Sequence, residues 1–205
     1  MQLPKKTAFQ EDQKNPENQK DILKHGIKVE IQAFLTNSDG KVIRRYPWKQ
    51  ANSLLKQFIQ VLMAQLSQAS QTVTDTGGTS RAGAGAILNL KASAGATDTT
   101  FGIVIGTGET TVTMTDYKLQ TQVTTNIAHA ITTFATENPD TSTWRAAISR
   151  ALTNNTGATL SVKEVGLYCT FTASGYIVCA DRTLYAVDVP SGVSLTLTYR
   201  VTVSL

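Results

Sequence analysis

The chain has 205 residues, of which 17% are charged and 41% hydrophobic, and its formal net charge is +4. This length supports one large domain or two small ones with a buried core, and the apolar content excludes a fully disordered chain. No apolar run approaches the roughly 20 residues that a membrane-spanning helix needs. The first residues lack the apolar stretch of a secretory signal peptide. We therefore expect no membrane partner and no Sec-type secretion.

The positive charge is scattered along the chain. Lys5 next to Lys6 and Arg44 next to Arg45 are the only adjacent basic pairs. Nucleic-acid-binding proteins usually carry a basic stripe with interleaved aromatic residues. We therefore expect no sequence-specific binding of nucleic acid.

Residues 1–25 form a polar arm, rich in Lys, Gln, Asn and acidic residues. Alone, such a segment buries too little apolar surface to offset its ordering entropy. Either it folds back on its own domain as a short helix, or a neighbouring subunit holds it, since 25 extended residues span about 80–90 Å. We predict an extended arm held by neighbours. Its candidate interface residues are Lys5, Lys6, Phe9, Ile22 and Leu23.

The segment after the arm predicts a β-hairpin followed by one amphipathic helix. Residues 27–35 alternate apolar with polar side chains, residues 37–40 form a turn, and the chain returns through residues 42–48. Residues 49–67 have apolar side chains at three-and-four spacing, which predicts a helix packed on the protein's own sheet or on a partner. Its apolar positions are Ala51, Leu54, Leu55, Phe58, Leu62 and Leu66.

Residues 68–85 are rich in Thr, Ser, Gly and Ala. The segment is too polar for a core and too long for a simple connection, so we expect a long loop that is mobile or lies along another chain. Its candidate interface residues are Thr74, Asp75 and Arg81.

From Phe101 onward, short strands alternate with turn residues. Between residues 160 and 171 the alternation shifts by one position at residues 163–164, which predicts a β-bulge. The last strand gives the clearest signal, because apolar side chains occupy every second position from Val193 to Leu205. A strict period of two indicates one buried and one solvated face. The predicted core positions of this strand are Leu195, Leu197, Tyr199, Val201 and Val203.

These elements predict a mainly β protein: an antiparallel β-sandwich with one amphipathic helix and an extended N-terminal arm. Residues 26–205 form a single domain. Cys169 and Cys179 flank a predicted hairpin turn, and in a chain without a secretory signal we expect both to be reduced and buried rather than bridged.

No residue pattern indicates an enzyme, a cofactor or a metal site. His25 and His129 have no partners at metal-ligand spacing, and we expect His129 to lie on a strand facing solvent. Gly106 and Gly108 resemble a phosphate-binding loop but lack the third glycine and the following helix; a tight strand exit explains them. The carboxylates considered for glycosidase chemistry, which we expect to be solvated or paired with basic residues, are Glu164, Asp181 and Asp188.

Several segments, in order, resemble a group of tailed-bacteriophage virion structural proteins. Residues 105–108 read IGTG, 116–119 read DYKL, 162–168 read VKEVGLY and 178–182 read VCADR, ahead of the alternating last strand. The resemblance covers roughly residues 27–205 and consists of strand segments rather than a catalytic motif. It implies a subunit that is assembled into virions in the host cytoplasm.

The resemblance implies a building block and leaves its position in the virion open. We favour a ring or connector component of the neck or tail, which forms homo-oligomeric rings and contacts other virion proteins through its arm and loop. The alternatives are a capsid decoration protein and a receptor- or glycan-binding β-sandwich of a fibre or adhesin. A glycan-binding protein needs clustered exposed aromatic residues, for which Trp144, Tyr176 and Tyr185 are candidates.

Overall fold

The computed structural model describes residues 26–51, 54–87 and 89–204. The predicted arm, with Lys5, Lys6, Phe9, Ile22 and Leu23, lies outside the described residues. Within them the protein is mainly β, with antiparallel sheets and a single helix. This confirms the predicted fold class.

The described elements follow one another along the chain as twelve strands and one helix. In chain order they are β1 (Gly26–Thr36), β2 (Val42–Arg45), β3 (Lys49–Gln50), α1 (Lys56–Ser67), β4 (Gln71–Thr74), β5 (Ser80–Gly83), β6 (Gly102–Gly106), β7 (Ile127–His129), β8 (Thr133–Asp140), β9 (Thr143–Asn154), β10 (Leu160–Phe171), β11 (Tyr176–Val189) and β12 (Ser194–Ser204). The larger sheet has the order β2-β1-β12-β9-β7, with β3 also pairing with β1 and β8 with β9. The smaller sheet has the order β11-β10-β6, and β4 and β5 form a separate hairpin.

The main core lies between the two sheets. Ile31, Leu197 and Tyr199 contribute side chains from the larger sheet, and Val165 and Phe171 contribute them from the smaller one. The apolar faces of alternating strands pack against each other in this way because burial removes them from water.

The last strand is buried over only part of its predicted length. Leu195, Leu197 and Tyr199 are buried as predicted, whereas Val201 is half-buried and Val203 is 44% exposed. The prediction of a core position is therefore wrong for Val203. At Val203, β12 is still paired with β1 and β9 in the larger sheet, but no described part of the chain packs on the face that Val203 occupies.

The helix is shorter than predicted: it begins at Lys56, and the described residues before it, 49–51 and 54–55, are not helical. β3 pairs with β1, Leu54 forms a bridge with Asp181 of β11, and the Leu55 N–H donates to the Ala180 carbonyl. These residues carry the chain from the larger sheet to the smaller one. Ala51 and Leu55 are buried where the chain crosses between the sheets. Their four-residue spacing, which predicted a helix, therefore has a different cause. Leu66, a predicted apolar contact of the helix, is exposed.

Residues 71–83 form the β4–β5 hairpin, so the prediction of a long loop is wrong there. Val73 anchors the hairpin by being buried in the main core. The Asp75 carboxylate accepts hydrogen bonds from the Gly77 and Thr79 N–H groups, and Gly78 has a positive φ of 81°. The side chain of Asp75 therefore closes the turn, and β-branched threonines suit the flanking strands.

The predicted β-bulge is present: the pairing of β10 with β11 shifts register between Val162 and Glu164. A second shift follows Leu167, after which Tyr168 faces Cys179 and Cys169 faces Val178. Cys169 packs in the main core, whereas Cys179 packs in a second cluster with Tyr168. Both cysteines are free and buried, as predicted, and burial raises the pKa of the Cys169 thiol to about 12.

Candidate functional site

The segments that carry the resemblance converge on one buried polar cluster. The IGTG segment ends β6, the DYKL segment lies in the loop between β6 and β7, and VKEVGLY and VCADR lie in the neighbouring strands β10 and β11. We call the cluster formed by Asp116, Glu164 and Arg182 the buried ion cluster. It holds residues 107–121 against the smaller sheet.

Glu164 closes the loop of residues 107–121 at both ends. Its Oε1 atom accepts hydrogen bonds from the N–H groups of Gly108, at 3.1 Å, and Thr121, at 2.8 Å. Its Oε2 atom accepts from the Gln120 N–H at 3.1 Å and from Arg182 Nε at 2.7 Å. The side chain is fully buried, so these charge-assisted bonds compensate for the loss of hydration.

Arg182 joins Glu164 to the middle of the same loop. Its Nη1 atom lies 2.7 Å from Asp116 Oδ2, and its Nη2 atom donates to the backbone and side-chain oxygens of Thr110. Burial alone lowers the pKa of Arg182, but its bonds to Asp116 and Glu164 outweigh burial and leave the pKa raised. Burial likewise raises the pKa of Asp116, yet hydrogen bonds from Thr113 and Arg182 bring it below the usual value. The guanidinium therefore stays charged between two carboxylates.

Close approach explains the glycines of the IGTG segment. A Cβ atom on Gly106 would lie 2.5 Å from the Thr121 carbonyl oxygen, and one on Gly108 would lie 2.5 Å from Glu164 Oε1. Neither glycine has a positive φ, so crowding at the end of β6, rather than an unusual backbone conformation, requires them. The glycines make room for a carboxylate of the protein itself, at the place where a phosphate-binding loop makes room for its ligand.

The other carboxylates considered for catalysis are also held within the protein. Asp181 is fully buried and accepts hydrogen bonds from the hydroxyl groups of Thr183 and Tyr199. Asp188 is exposed and accepts a hydrogen bond of 2.6 Å from the Ser161 hydroxyl. The structure thus gives each candidate a partner that stabilises the fold.

His129 is buried, so the prediction that it faces solvent is wrong. It pairs with Leu152 on the inner face of the larger sheet, and within the described residues neither ring nitrogen has a hydrogen-bond partner. Burial, followed by the nearby charge of Arg150, lowers the pKa of His129 to about 4. The imidazole is therefore neutral at physiological pH.

Arg150 is a buried residue that the sequence analysis missed. Its five N–H donors all bond to backbone carbonyls, those of Gly95, Asp98, Phe101, Ile103 and Ala130. The sequence does contain a signal that Arg150 is buried. Arg150 lies two residues from both Ile148 and Leu152, and residues at this spacing on a strand share one face, here the inner face of β9. Arg150 connects the segment before β6 and the segment after β7 to β9.

Two of the predicted interface residues of the 68–85 segment bind each other. Arg81 Nε lies 2.7 Å from Asp75 Oδ2, and the Arg81 guanidinium stacks 4.2 Å from the centre of the Tyr176 ring. Burial raises the pKa of Asp75, but bonds from Arg81 and the Thr79 N–H lower it overall. Thr74 ends β4 beside them. A role of these residues in an interface stays a prediction.

A cleft of about 520 Å³ separates the edge strand β11 from β2 and β3. Arg44, Tyr46 and Lys49 line one side, and Lys163 and Tyr185 line the other. Two acidic residues also line the cleft. Glu109 lies 2.6 Å from Lys163 in an ion pair, and Asp188 accepts the Ser161 hydrogen bond. The cleft is thus polar, with two tyrosines and more basic than acidic residues.

In comparisons with family models, with curated proteins and with solved structures, nothing matches this chain. Within the described residues, no group of three or more His, Cys, Asp and Glu side chains is placed to hold a metal ion. In the same part of the chain, no helix combines the length and hydropathy of a membrane span.

Proposed function

We propose that this protein is a structural subunit of a tailed-bacteriophage virion, a ring or connector component of the neck or tail. The observation that carries the proposal is the convergence of the resembling segments on the buried ion cluster. Shared segments that stabilise a fold, rather than place a reactive group in a cleft, fit a protein whose task is to keep its shape within an assembly.

The proposed mechanism is assembly without catalysis or a cofactor. A rigid two-sheet body presents surfaces to sister subunits and to other virion proteins, and the arm of residues 1–25 and the β4–β5 hairpin add contacts. Identical subunits that contact each other head to tail close into a ring when the rotation permits. Assembly takes place in the host cytoplasm, and the product is part of the virion.

Negative-stain electron microscopy of the purified full chain tests this proposal. We expect rings of uniform diameter, or stacks of such rings. Particles that stay monomeric over the whole accessible concentration range contradict the proposal, as does a turnover activity located in the cleft beside β11.

A second candidate function is glycan or receptor binding, and the cleft beside β11 favours it. Tyr46 supplies partly exposed aromatic surface, whereas Tyr185 is buried in the main core. Arg44 and Lys49 supply hydrogen-bond donors. Of the predicted aromatic candidates only Tyr185 lines the cleft, since Tyr176 stacks on Arg81. A glycan array decides between the two functions: binding that is lost in Arg44→Ala and retained in the β9 control Arg145→Ala supports this second function.

A further inference from the structure

The larger sheet has an apolar end that the main core does not cover. Ile27, Val203 and Trp144 lie directly opposite one another on β1, β12 and β9, and such opposed residues share one face of a sheet. Phe134 of β8 lies on that face as well, through its pairing with Ile148. Exposed fractions are 73% for Ile27, 59% for Trp144, 55% for Phe134 and 44% for Val203. We call these four residues the sheet-end patch.

The sheet-end patch continues the inner face of the core without interruption. Val29 and Ile148 lie between the sheet-end patch and the main core, and both pack against the core. The opposite face has polar residues in the matching row, Lys28, Thr202 and Arg145. This sheet end is therefore amphipathic, as a sheet is when its apolar face packs on another layer. Three of the four side chains form one row across the sheet, and Phe134 lies further along the same face. Exposed apolar side chains that share a face, with a Trp and a Phe among them, are typical of interaction sites.

The size of the patch indicates a chain segment as the occupant. A protein–protein interface of standard size uses about 20–30 residues on each side, whereas the sheet-end patch has four. Two patches facing each other are therefore too small to hold a dimer. A short segment with two or three apolar side chains matches the patch.

Residues 1–25 supply such a segment, and they enter the structure beside the patch. Gly26 pairs with Ser204, next to the pair of Ile27 with Val203. The segment has two adjacent aliphatic residues, Ile22 and Leu23, a few positions before this point. We propose that Ile22 and Leu23 of one copy dock on the sheet-end patch of a neighbouring copy. This inference rests on the proposed function and identifies the surface that receives the arm.

Chain direction favours a neighbour over the same chain as the receiver. β1 runs from Gly26 towards the core, so a segment before Gly26 can reach the patch of its own chain only if the chain reverses direction. Reversing a chain takes about four residues, and here a tight reversal uses residues 22–25 themselves. The segment returning over its own patch would then be residues 15–21, NPENQKD, which contains no Val, Ile, Leu, Met or aromatic residue. On a neighbour, Ile22 and Leu23 are available.

Trp144 reports on the patch when it is the only tryptophan. The chain has two tryptophans, and Trp48→Phe leaves Trp144 alone. The experiment uses this full-length variant, with light scattering for mass and the wavelength of maximal emission for the environment of Trp144, over a dilution series. We expect association at high concentration with emission at shorter wavelength, and both signals should reverse together on dilution.

Variants on the arm and on the sheet-end patch test whether each of them takes part in the contact between copies. The double change Ile22→Ser and Leu23→Ser should weaken association at least tenfold and keep Trp144 emission at long wavelength, and Phe134→Ser should weaken association equally. Leu66→Ser, which removes an exposed aliphatic residue from α1, should change neither signal. Circular dichroism verifies that each variant keeps its strands.

Three outcomes overturn the inference. Short-wavelength emission in a monomer at every dilution places the arm on its own chain. Association that survives the Ile22 and Leu23 change shows that another surface joins the copies; the proposed function then stands while this inference fails. A full chain that neither associates nor shifts its emission contradicts both.

Discussion

At the scale of single residues, one carboxylate determines the course of a fifteen-residue loop, residues 107–121. Glu164 receives N–H donors from both ends of the loop, and through Arg182 it is connected to Asp116 and Thr110 in its middle. The sequence indicated a bulge at residues 163–164, and the bulge is present. It did not indicate that the carboxylate is buried, because that depends on a loop 43 to 56 positions away.

Removing the charge of Glu164 should destabilise the fold strongly. Glu164→Gln leaves Arg182 without its buried partner and turns an amide group towards N–H donors, so we expect a loss of about 3–5 kcal/mol in the free energy of unfolding. Glu109→Gln, which removes an exposed carboxylate from the same loop, should cost at most about 1 kcal/mol. Urea denaturation measures both. Equal effects of the two changes contradict a structural role for the cluster.

His129 should make the folded state sensitive to mild acid. The pKa of His129 is lowered to about 4 in the folded state, against about 6.5 in the unfolded state, so the unfolded state binds a proton that the folded state excludes. Stability is therefore complete above pH 7 and falls as the pH drops from about 6.5 towards 4. At pH 5 the loss is about 2 kcal/mol.

The variant His129→Gln isolates this effect. Between pH 7.5 and pH 5, its free energy of unfolding should decrease by about 2 kcal/mol less than that of the unchanged protein. The control His25→Gln should keep the full decrease. Parallel pH profiles for the unchanged protein and His129→Gln contradict the buried, neutral state of His129.

At the scale of elements, β9 connects the sheet to its surroundings through Arg150. This guanidinium organises two stretches of irregular backbone by bonding to carbonyls on both. Arginine is suited to this position because its planar donors stay charged even when burial lowers the pKa of the group, as it does here.

Replacing Arg150 should uncouple these segments from β9. Arg150→Met leaves five backbone carbonyls without their donor, and of these bonds the one to Ile103 is fully buried and the others are partly buried. We expect a loss of about 3–5 kcal/mol in the free energy of unfolding. The control Arg145→Met lies on the same strand and breaks a surface contact of 3.9 Å with Glu137, so its effect should stay below about 1 kcal/mol. Chemical denaturation compares the two variants, and a mild effect of Arg150→Met is the contradicting result.

The strands were predictable from the sequence, while the elements that depend on distant partners were not. β1, β9 and β12 follow period-two patterns that any pleated sheet requires. The start of the predicted helix at residue 49 was wrong, because apolar residues there have helical spacing while Lys49–Gln50 pair with β1 and Leu54 bridges to β11. The β4–β5 hairpin was missed because its turn depends on the Asp75 side chain and on Val73 reaching the core.

The sequence analysis identified the segments that contain the residues of the buried ion cluster, but it did not predict how these residues contact each other. The resemblance selected segments that contain Gly108, Asp116, Glu164 and Arg182, and the structure brings these residues together. His129 was expected to face solvent because it is polar, and the sequence analysis made no prediction for Arg150. In both cases their position in the alternation was a better guide than their polarity.

At the scale of the whole molecule, the described residues form a complete core and still leave an apolar surface open. Among the described residues, those that form the main core or pack against it run from Val29 to Tyr199. The sheet-end patch and the cleft beside β11 are the described surfaces best suited to partners. Open surfaces of this kind are what a subunit needs to assemble with copies of itself, as we propose for this chain.

Deleting residues 1–25 should separate folding from assembly. The truncated chain should keep a cooperative thermal transition and a β-type circular dichroism spectrum, because the truncation leaves all core residues of the described part of the chain in place. Its association, measured by light scattering, should be at least tenfold weaker than that of the full chain. A truncated chain that is unfolded, or that assembles like the full chain, contradicts the proposed separation.

Native mass spectrometry of the full chain tests the central claim, self-assembly, most directly. The account predicts one closed species whose mass is a fixed multiple of 22.1 kDa, with the monomer as its only dissociation product. A spectrum with the monomer alone at every concentration that permits measurement would contradict the account.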